Sequence, residues 1–152
     1  NEKILNKALE NFWDKQSHIK DTSIQKITSY DVSDFNSSFV QGLSLEDGAA
    51  TLTEYTAKII YGDIFFTQDE IVKIILCGGG RKNKFLFKRI KKLFTNIISV
   101  QLIDDYGIDG DFVESQAFGY LAIRSYLKLP ISFPSTTGCK EPSTGGVIVK
   151  NF

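Results

Sequence analysis

Two groups of residues in this sequence have types and spacing suited to chemistry. The first is Gly78-Gly79-Gly80, which follows the apolar run Ile74-Ile75-Leu76-Cys77 and precedes Arg81-Lys82-Asn83. Three glycines leave the backbone free to take positive φ and admit another group to contact distance. Between a strand and a helix they present unpaired N–H groups and the positive end of a helix dipole, which suits phosphate. Tight packing of a β–α turn is the competing reading. The second group is acidic: Asp104, Asp105, Asp109, Asp111 and Glu114 fall within eleven residues. Carboxylates so placed can accept hydrogen bonds from sugar hydroxyls, hold Mg2+ through water, or act as a general base. The alternative is a solvated turn in which Asp111 caps the next helix and Glu114 occupies its third position.

Alternating helices and strands are expected to position both groups. Residues 1–15 put Ile4, Leu5, Ala8, Leu9, Phe12 and Trp13 on one helical face. Residues 16–34 are polar and aperiodic and predict an irregular connector, with a short helix from about Asp34 to Gly42. Ser44 is expected to cap a helix that carries Ala49, Leu52, Thr53, Thr56, Ile59 and Ile60 to a core and stops at Gly62. Residues 71–77 predict a buried strand, 83–95 a helix with Phe85, Leu86, Ile90, Leu93 and Phe94 inward, and 97–103 a second strand. A β–α–β unit of this kind predicts parallel strands with a right-handed crossover. Both chemical groups then fall at the C-terminal edge of the sheet, where open α/β sheets bind ligands.

A helix over about 112–128 should bury Val113, Ala117, Phe118, Leu121, Ala122 and Ser125, with Pro130 beyond its end. The tail reads as loop, with Gly138, Pro142, Gly145 and Gly146, and a last short strand at Val147–Val149. The class is α/β, one domain over 1–152, with a small parallel or mixed sheet flanked by helices.

Composition narrows the function. Of 152 residues, 42% are apolar, 12% aromatic and 24% charged, with no net charge, so neither a disordered chain nor a polycation is indicated. No apolar run reaches the roughly 18 residues of a membrane span, and a cytoplasmic protein with no membrane partner is expected. Cys77 and Cys139 stand far apart, which is no disulfide framework or metal spacing, and Cys77 reads as a buried apolar thiol. Lys82, Lys84, Lys88, Arg89, Lys91 and Lys92 are spaced as the solvated face of an amphipathic helix, without the interleaved aromatics a nucleic-acid surface needs. His18 sits in the polar connector and has no nucleophile near it in sequence, which argues against Ser–His or Cys–His chemistry. The chain begins at Asn1 and contains no methionine, so it is expected to be a piece of a longer protein.

Two nucleotide-binding architectures compete for the glycine turn. A dinucleotide fold wants G-x-G-x-x-G and an acid about 20 residues on; Gly78, Gly80 and Asp104 or Asp105 comply, but Asn83 stands at the third glycine. The other is the C-terminal half of an actin-like sugar kinase. The segments Gly42-Leu43-Ser44-Leu45-Glu46-Asp47-Gly48-Ala49-Ala50-Thr51-Leu52-Thr53, Cys77-Gly78-Gly79-Gly80 with Asn83, Gly107 to Phe118, and Leu129-Pro130 followed by Thr137-Gly138 decide between them. In order and spacing they resemble the anhydro-N-acetylmuramic acid kinases, over nearly all of the chain from about residue 29 onward.

That resemblance implies an actin-like (RNase H-like) fold and an ATP- and Mg2+-dependent enzyme. Such an enzyme opens the 1,6-anhydro ring of anhydro-N-acetylmuramic acid and phosphorylates O6, giving N-acetylmuramic acid 6-phosphate in cell-wall recycling. It implies that Gly78, Gly79, Gly80 and Asn83 lie at the nucleotide and that Glu114 faces the amino sugar, with Asp109 and Asp111 beside it in the acidic loop. The family's Pro-Pro-Lys-Ser segment before an Asp and a Phe is echoed only by Ser29, Asp31 and Phe35. The family's Asp-Gly-Thr-Ser phosphate loop and catalytic aspartate belong to an N-terminal domain that this sequence does not contain. No catalytic residue is therefore expected here, and the chain alone is expected to be inactive; the alternative is a degenerate or split-gene remnant that acts only as a nucleotide-binding or interaction module. A face left uncovered by that domain, near Gly78–Gly80 and Asp104–Glu114, should be partly apolar and favour a homodimer or poor solubility.

Overall fold

The computed structural model of the protein describes residues 1–17, 32–65, 71, 73–95, 98–147 and 149. His18, Ser29, Asp31 and Ile148 lie outside them, as does most of the predicted connector. The fold is mixed α/β, with helices flanking a two-stranded parallel sheet. Helix α1 (Glu2–Ser17) is followed by short 3-10 turns at Val32–Asp34 and Ser38–Val40, where one helix was expected. Helix α2 (Leu45–Phe65) starts as predicted, with the Ser44 hydroxyl accepting from Asp47 N–H at 3.1 Å.

The helix does not stop at Gly62. It continues to Phe65, because Gly62 serves packing rather than termination. A Cβ at that position would lie 2.6 Å from Cζ2 of Trp13, so only glycine lets the indole of α1 lie against α2. The core face of α2 is also rotated from the expected one. Thr51, Tyr55, Ala57 and Ile59 are buried, while Ala49 and Thr56 are exposed. The cause is that α2 is covered on two sides, by α1 and by α3, so one stripe does not describe it. Leu5, Ala8 and Phe12 of α1 meet Tyr55 and Ile59 in one cluster. Ala57 joins Ile90, Phe94 and Val100 in the other.

Strands β1 (Lys73–Leu76) and β2 (Ser99–Leu102) pair in parallel, Lys73 opposite Ser99 and Leu76 opposite Leu102. Helix α3 (Lys84–Leu93) connects them, and Ile90 and Phe94 are almost fully buried at 2% and 1% exposure. Phe85, expected inward, is exposed in the first turn, beyond the edge of the sheet. Ile74 and Leu76 pack on this cluster, whereas Ile75 faces away and is half exposed. Cys77 corrects another expectation. It is exposed, one residue past the strand where the chain leaves the covered sheet.

Helix α4 (Val113–Tyr126) departs most from its expected burial. It contributes nothing to either cluster, and Phe118, Tyr120, Ile123 and Tyr126 are 60–69% exposed. Of the six residues expected inward, Val113, Leu121 and Ser125 are half-buried, and Ala117, Phe118 and Ala122 are exposed. The apolar pattern was read correctly as a helix, but nothing among the described residues covers it. The tail holds a short helix, α5 (Pro134–Thr137), and one antiparallel bridge, Ser132 with Ser143. Val147 and Val149 are in no strand, so the expected terminal strand is not formed by them. Among the described residues no helix is long and apolar enough to cross a membrane.

Candidate functional site

Both sequence groups arrive at the C-terminal ends of β1 and β2, because parallel strands end on the same edge. Gly78 turns the chain at φ 75°, a conformation in which a side chain is strained, and a 3-10 turn follows over Gly79–Lys82. From β2 the chain enters a second 3-10 turn, Ile103–Tyr106, which ends at Gly107 with φ 74°. It then loops through Asp109–Phe112 into α4. The two turns are tied by backbone, Gly78 N–H donating to Gly110 C=O at 3.2 Å.

The residue at the centre of the site was not singled out from sequence. Arg81 is a buried cation, its side chain only 6% exposed, and its guanidinium sits inside the acidic loop. Nε and Nη2 donate to the two oxygens of Asp104 at 2.7 and 2.9 Å. Nη1 donates to Asp111 Oδ1 at 2.6 Å and to the Gly78 carbonyl at 3.0 Å. Asp109 lies 3.6 Å from Nη2. A Cβ on Gly110 would fall 2.6 Å from Cζ of Arg81, so glycine is needed there to let the loop close on the guanidinium. Paired ions of this geometry shift one another. The Arg81 hydrogen bonds hold Asp104 down to about 2, and those from Arg81 and then Lys82 lower Asp111. Asp104 and Asp111 in turn raise Arg81.

The five acids therefore separate. Asp104 and Asp111 are committed to Arg81, and Lys82 also donates to Asp111 at 2.5 Å. Asp105 accepts from Leu102 N–H at 3.1 Å, and Asp109 from Asp111 N–H at 2.9 Å. Glu114 alone is exposed on the first turn of α4 with no ion pair or hydrogen bond from its side chain among the described residues. The capping alternative is corrected on both counts. Asp111 bonds Arg81 instead of a helix N–H, and the N-cap residue is Phe112, which makes no side-chain bond.

The glycines separate as well. Gly78 is required by its own φ, but Gly79 and Gly80 are not, and a Cβ on either meets nothing within 4 Å among the described residues. Their N–H groups have no partner among the described residues. Asn83, expected beside a ligand, caps α3, its side-chain oxygen accepting from Phe85 and Leu86 N–H at 3.1 Å each. The lysine face is solvated as expected, except that Lys82 pairs with Asp111 and Arg89 reaches back to α2 and clamps Glu54 at 2.5 and 2.7 Å. A cavity of about 870 Å³ lies elsewhere, between α1 and the 33–41 segment, lined by Lys7, Asn11, Phe12 and Asp34.

An open glycine turn and an exposed acid thus lie at the C-terminal edge of a parallel α/β sheet, the edge at which open α/β sheets bind ligands. Comparison with known proteins is specific. Residues 2–151 match the family model for anhydro-N-acetylmuramic acid kinase. The anhydro-N-acetylmuramic acid kinase of Pelagibacter ubique is 51% identical over 155 residues, covering 99% of this chain and 40% of that protein. That of Zymomonas mobilis is 44% identical over 79% of the chain and 32% of the relative, and that of Methylorubrum populi 42% over 70% and 28%. The chain belongs to the anhydro-N-acetylmuramic acid kinase family, a sugar-kinase family of the actin-like fold. The match begins at residue 2, so α1 belongs to the family segment and not only the chain from residue 29. The chain spans between about a quarter and two fifths of the length of these relatives.

Proposed function

We propose that this chain supplies one wall of the cleft of an ATP-dependent kinase that opens 1,6-anhydro-N-acetylmuramic acid and phosphorylates it to N-acetylmuramic acid 6-phosphate. In this reading Gly79 and Gly80 face the nucleotide, and Gly78 shapes the turn. The observation that carries it is the pair of glycines that neither φ nor packing requires among the described residues, which also leave space above them open and their N–H groups unpartnered. Glycine at such positions suits the close approach of a phosphate or nucleoside to backbone. The amide nitrogen of Asn83 remains for the nucleotide once its oxygen has capped α3. Glu114 faces the sugar, and Asp109 lies beside it at the mouth of the loop. Asp111 contributes indirectly, by holding the loop on Arg81.

Mg2+ in this reading arrives with the nucleotide, since Asp104 and Asp111 are already neutralised by Arg81 and Lys82 together. Phosphoryl transfer relies on positioning and charge neutralisation across a closed cleft. The chain therefore works with the rest of a full-length kinase, whose other wall covers the apolar surface of α4 and brings the general base. A cytoplasmic location follows from the substrates, ATP and a recycled cell-wall sugar.

Calorimetry with ATP and with NAD+ tests the reading. ATP is expected to bind weakly to this chain and NAD+ not at all. Gly79→Val should abolish ATP binding without unfolding, because the chain itself has room for the side chain. NAD+ binding without ATP binding, or ATP binding that survives Gly79→Val, overturns the assignment.

A further inference from the structure

We propose that Arg81 is a positioning residue that locks the Gly78–Gly80 turn and the 104–112 loop into one rigid unit, fixing the distance from the turn's free N–H groups to Glu114. The proposal rests on the reading of that turn as the nucleotide wall. Asp104 and Asp111 stand 23 and 30 residues from Arg81 in sequence, yet one guanidinium holds both carboxylates and the Gly78 carbonyl. Its bonds to the two carboxylates reach the chain beyond β2, and its bond to Gly78 holds the chain beyond β1. The planar fork sets direction as well as distance, which a lysine ammonium does not. Burial of the guanidinium makes the arrangement two-state. A cation with a side chain 6% exposed is poorly placed to let go of one partner and keep the others.

The geometry also says which way the consequences run. Glu114 lies three residues beyond Asp111, and Gly79 and Gly80 lie between Gly78 and Arg81. Gly79 and Gly80 are therefore held between two residues of the lock, and Glu114 follows a third, while the Glu114 side chain bonds to none of them among the described residues. Loosening Arg81 leaves every ligand-facing atom in place chemically but adds freedom that binding must remove.

The test uses hydrogen exchange and ATP titration on the 152-residue chain. Arg81→Lys keeps the charge and loses the fork. Exchange should rise about tenfold or more at the bonded amides of Gly78, Arg81 and Asn83 and of Gly107, Asp111 and Phe112 together, with the amides of α1 and α2 unchanged, as expected for a local opening. ATP affinity should fall by about tenfold, because the loosened turn must be ordered again on binding. Gly110→Ala, whose Cβ would fall 2.6 Å from Cζ of Arg81, should reproduce both effects. It keeps the test alive if an Arg81 variant fails to fold. A rise in one segment only, or in neither, overturns the lock. A rise in both with ATP affinity unchanged overturns the positioning role. A parent chain that takes up no ATP overturns the nucleotide reading, and with it the positioning role, and coupled exchange in the variants would then trace the fault to the ligand rather than to the lock.

Discussion

Gly62→Ala tests whether α1 is an integral part of this fold. The new Cβ would sit 2.6, 3.2 and 3.4 Å from Cζ2, Cη2 and Cε2 of Trp13. Carbon atoms in contact prefer about 3.5–4.0 Å, so the indole must retreat by about 1 Å. Retreat toward Phe12 is blocked, since the indole meets that ring edge-on at 5.0 Å and Phe12 is itself 4% exposed. Overpacking of this kind costs about 1–3 kcal/mol. Against that, alanine is favoured over glycine inside a helix by about 1 kcal/mol. The two effects have opposite sign, and the middle of the range leaves a net loss of about 1 kcal/mol. For a chain of this size that lowers Tm by about 2–4 °C. Trp13 is the only tryptophan, so its fluorescence reports the displacement in the same sample. In a Trp13→Leu background the obstacle is gone, and Gly62→Ala should then stabilise. If Gly62→Ala in the parent chain raises Tm and leaves the emission spectrum unmoved, the packing of α1 on α2 described above is wrong.

Two further outcomes follow from the site. Asp104 and Asp111 are both held below their ordinary value of 3.8, Asp104 at about 2, so their contribution is complete above the ordinary carboxylate range and lost as pH falls toward 2. Thermal melts of the parent chain should therefore drop steeply below about pH 4, and Arg81→Met should flatten that acid limb; equal acid limbs would refute the pairing. Glu114→Gln should leave the melting temperature unchanged, since the carboxylate makes no bond among the described residues. In a full-length kinase carrying this segment it should cut turnover by about a hundredfold or more, and an unchanged turnover would remove Glu114 from the sugar site.

What the sequence disclosed, and what it hid, divides by the range of the interaction. Ser44, the glycine turn and the β–α–β order were legible because caps, φ requirements and periodicity are written within a few neighbouring residues. Arg81 was hidden for the opposite reason. A buried arginine among lysines carries no local mark, and its partners lie 23 and 30 residues away. The one signal available was a surplus: five acids in a loop with only two positions to cap exceed what a solvated turn needs, and a buried cation resolves the excess. The role of Gly62 was hidden in the same way, since termination by glycine is a local rule and accommodation of Trp13 is a tertiary fact.

Helix α4 shows the reverse case, a pattern read correctly whose partner is not in the described residues. Its apolar residues lie around the helix rather than along one stripe, and Phe118, Ile123 and Tyr126 are all exposed. Apolar surface on that scale is stable in water only when something covers it. Phe118, four residues on from Glu114, lies on the same face of α4, so in the proposed cleft a wall that covers Phe118 also approaches the carboxylate. In the proposed function, closure and burial of Glu114 are then one event: the carboxylate, solvated in the open chain, would be desolvated as the other wall closes, which strengthens a hydrogen bond to a sugar hydroxyl.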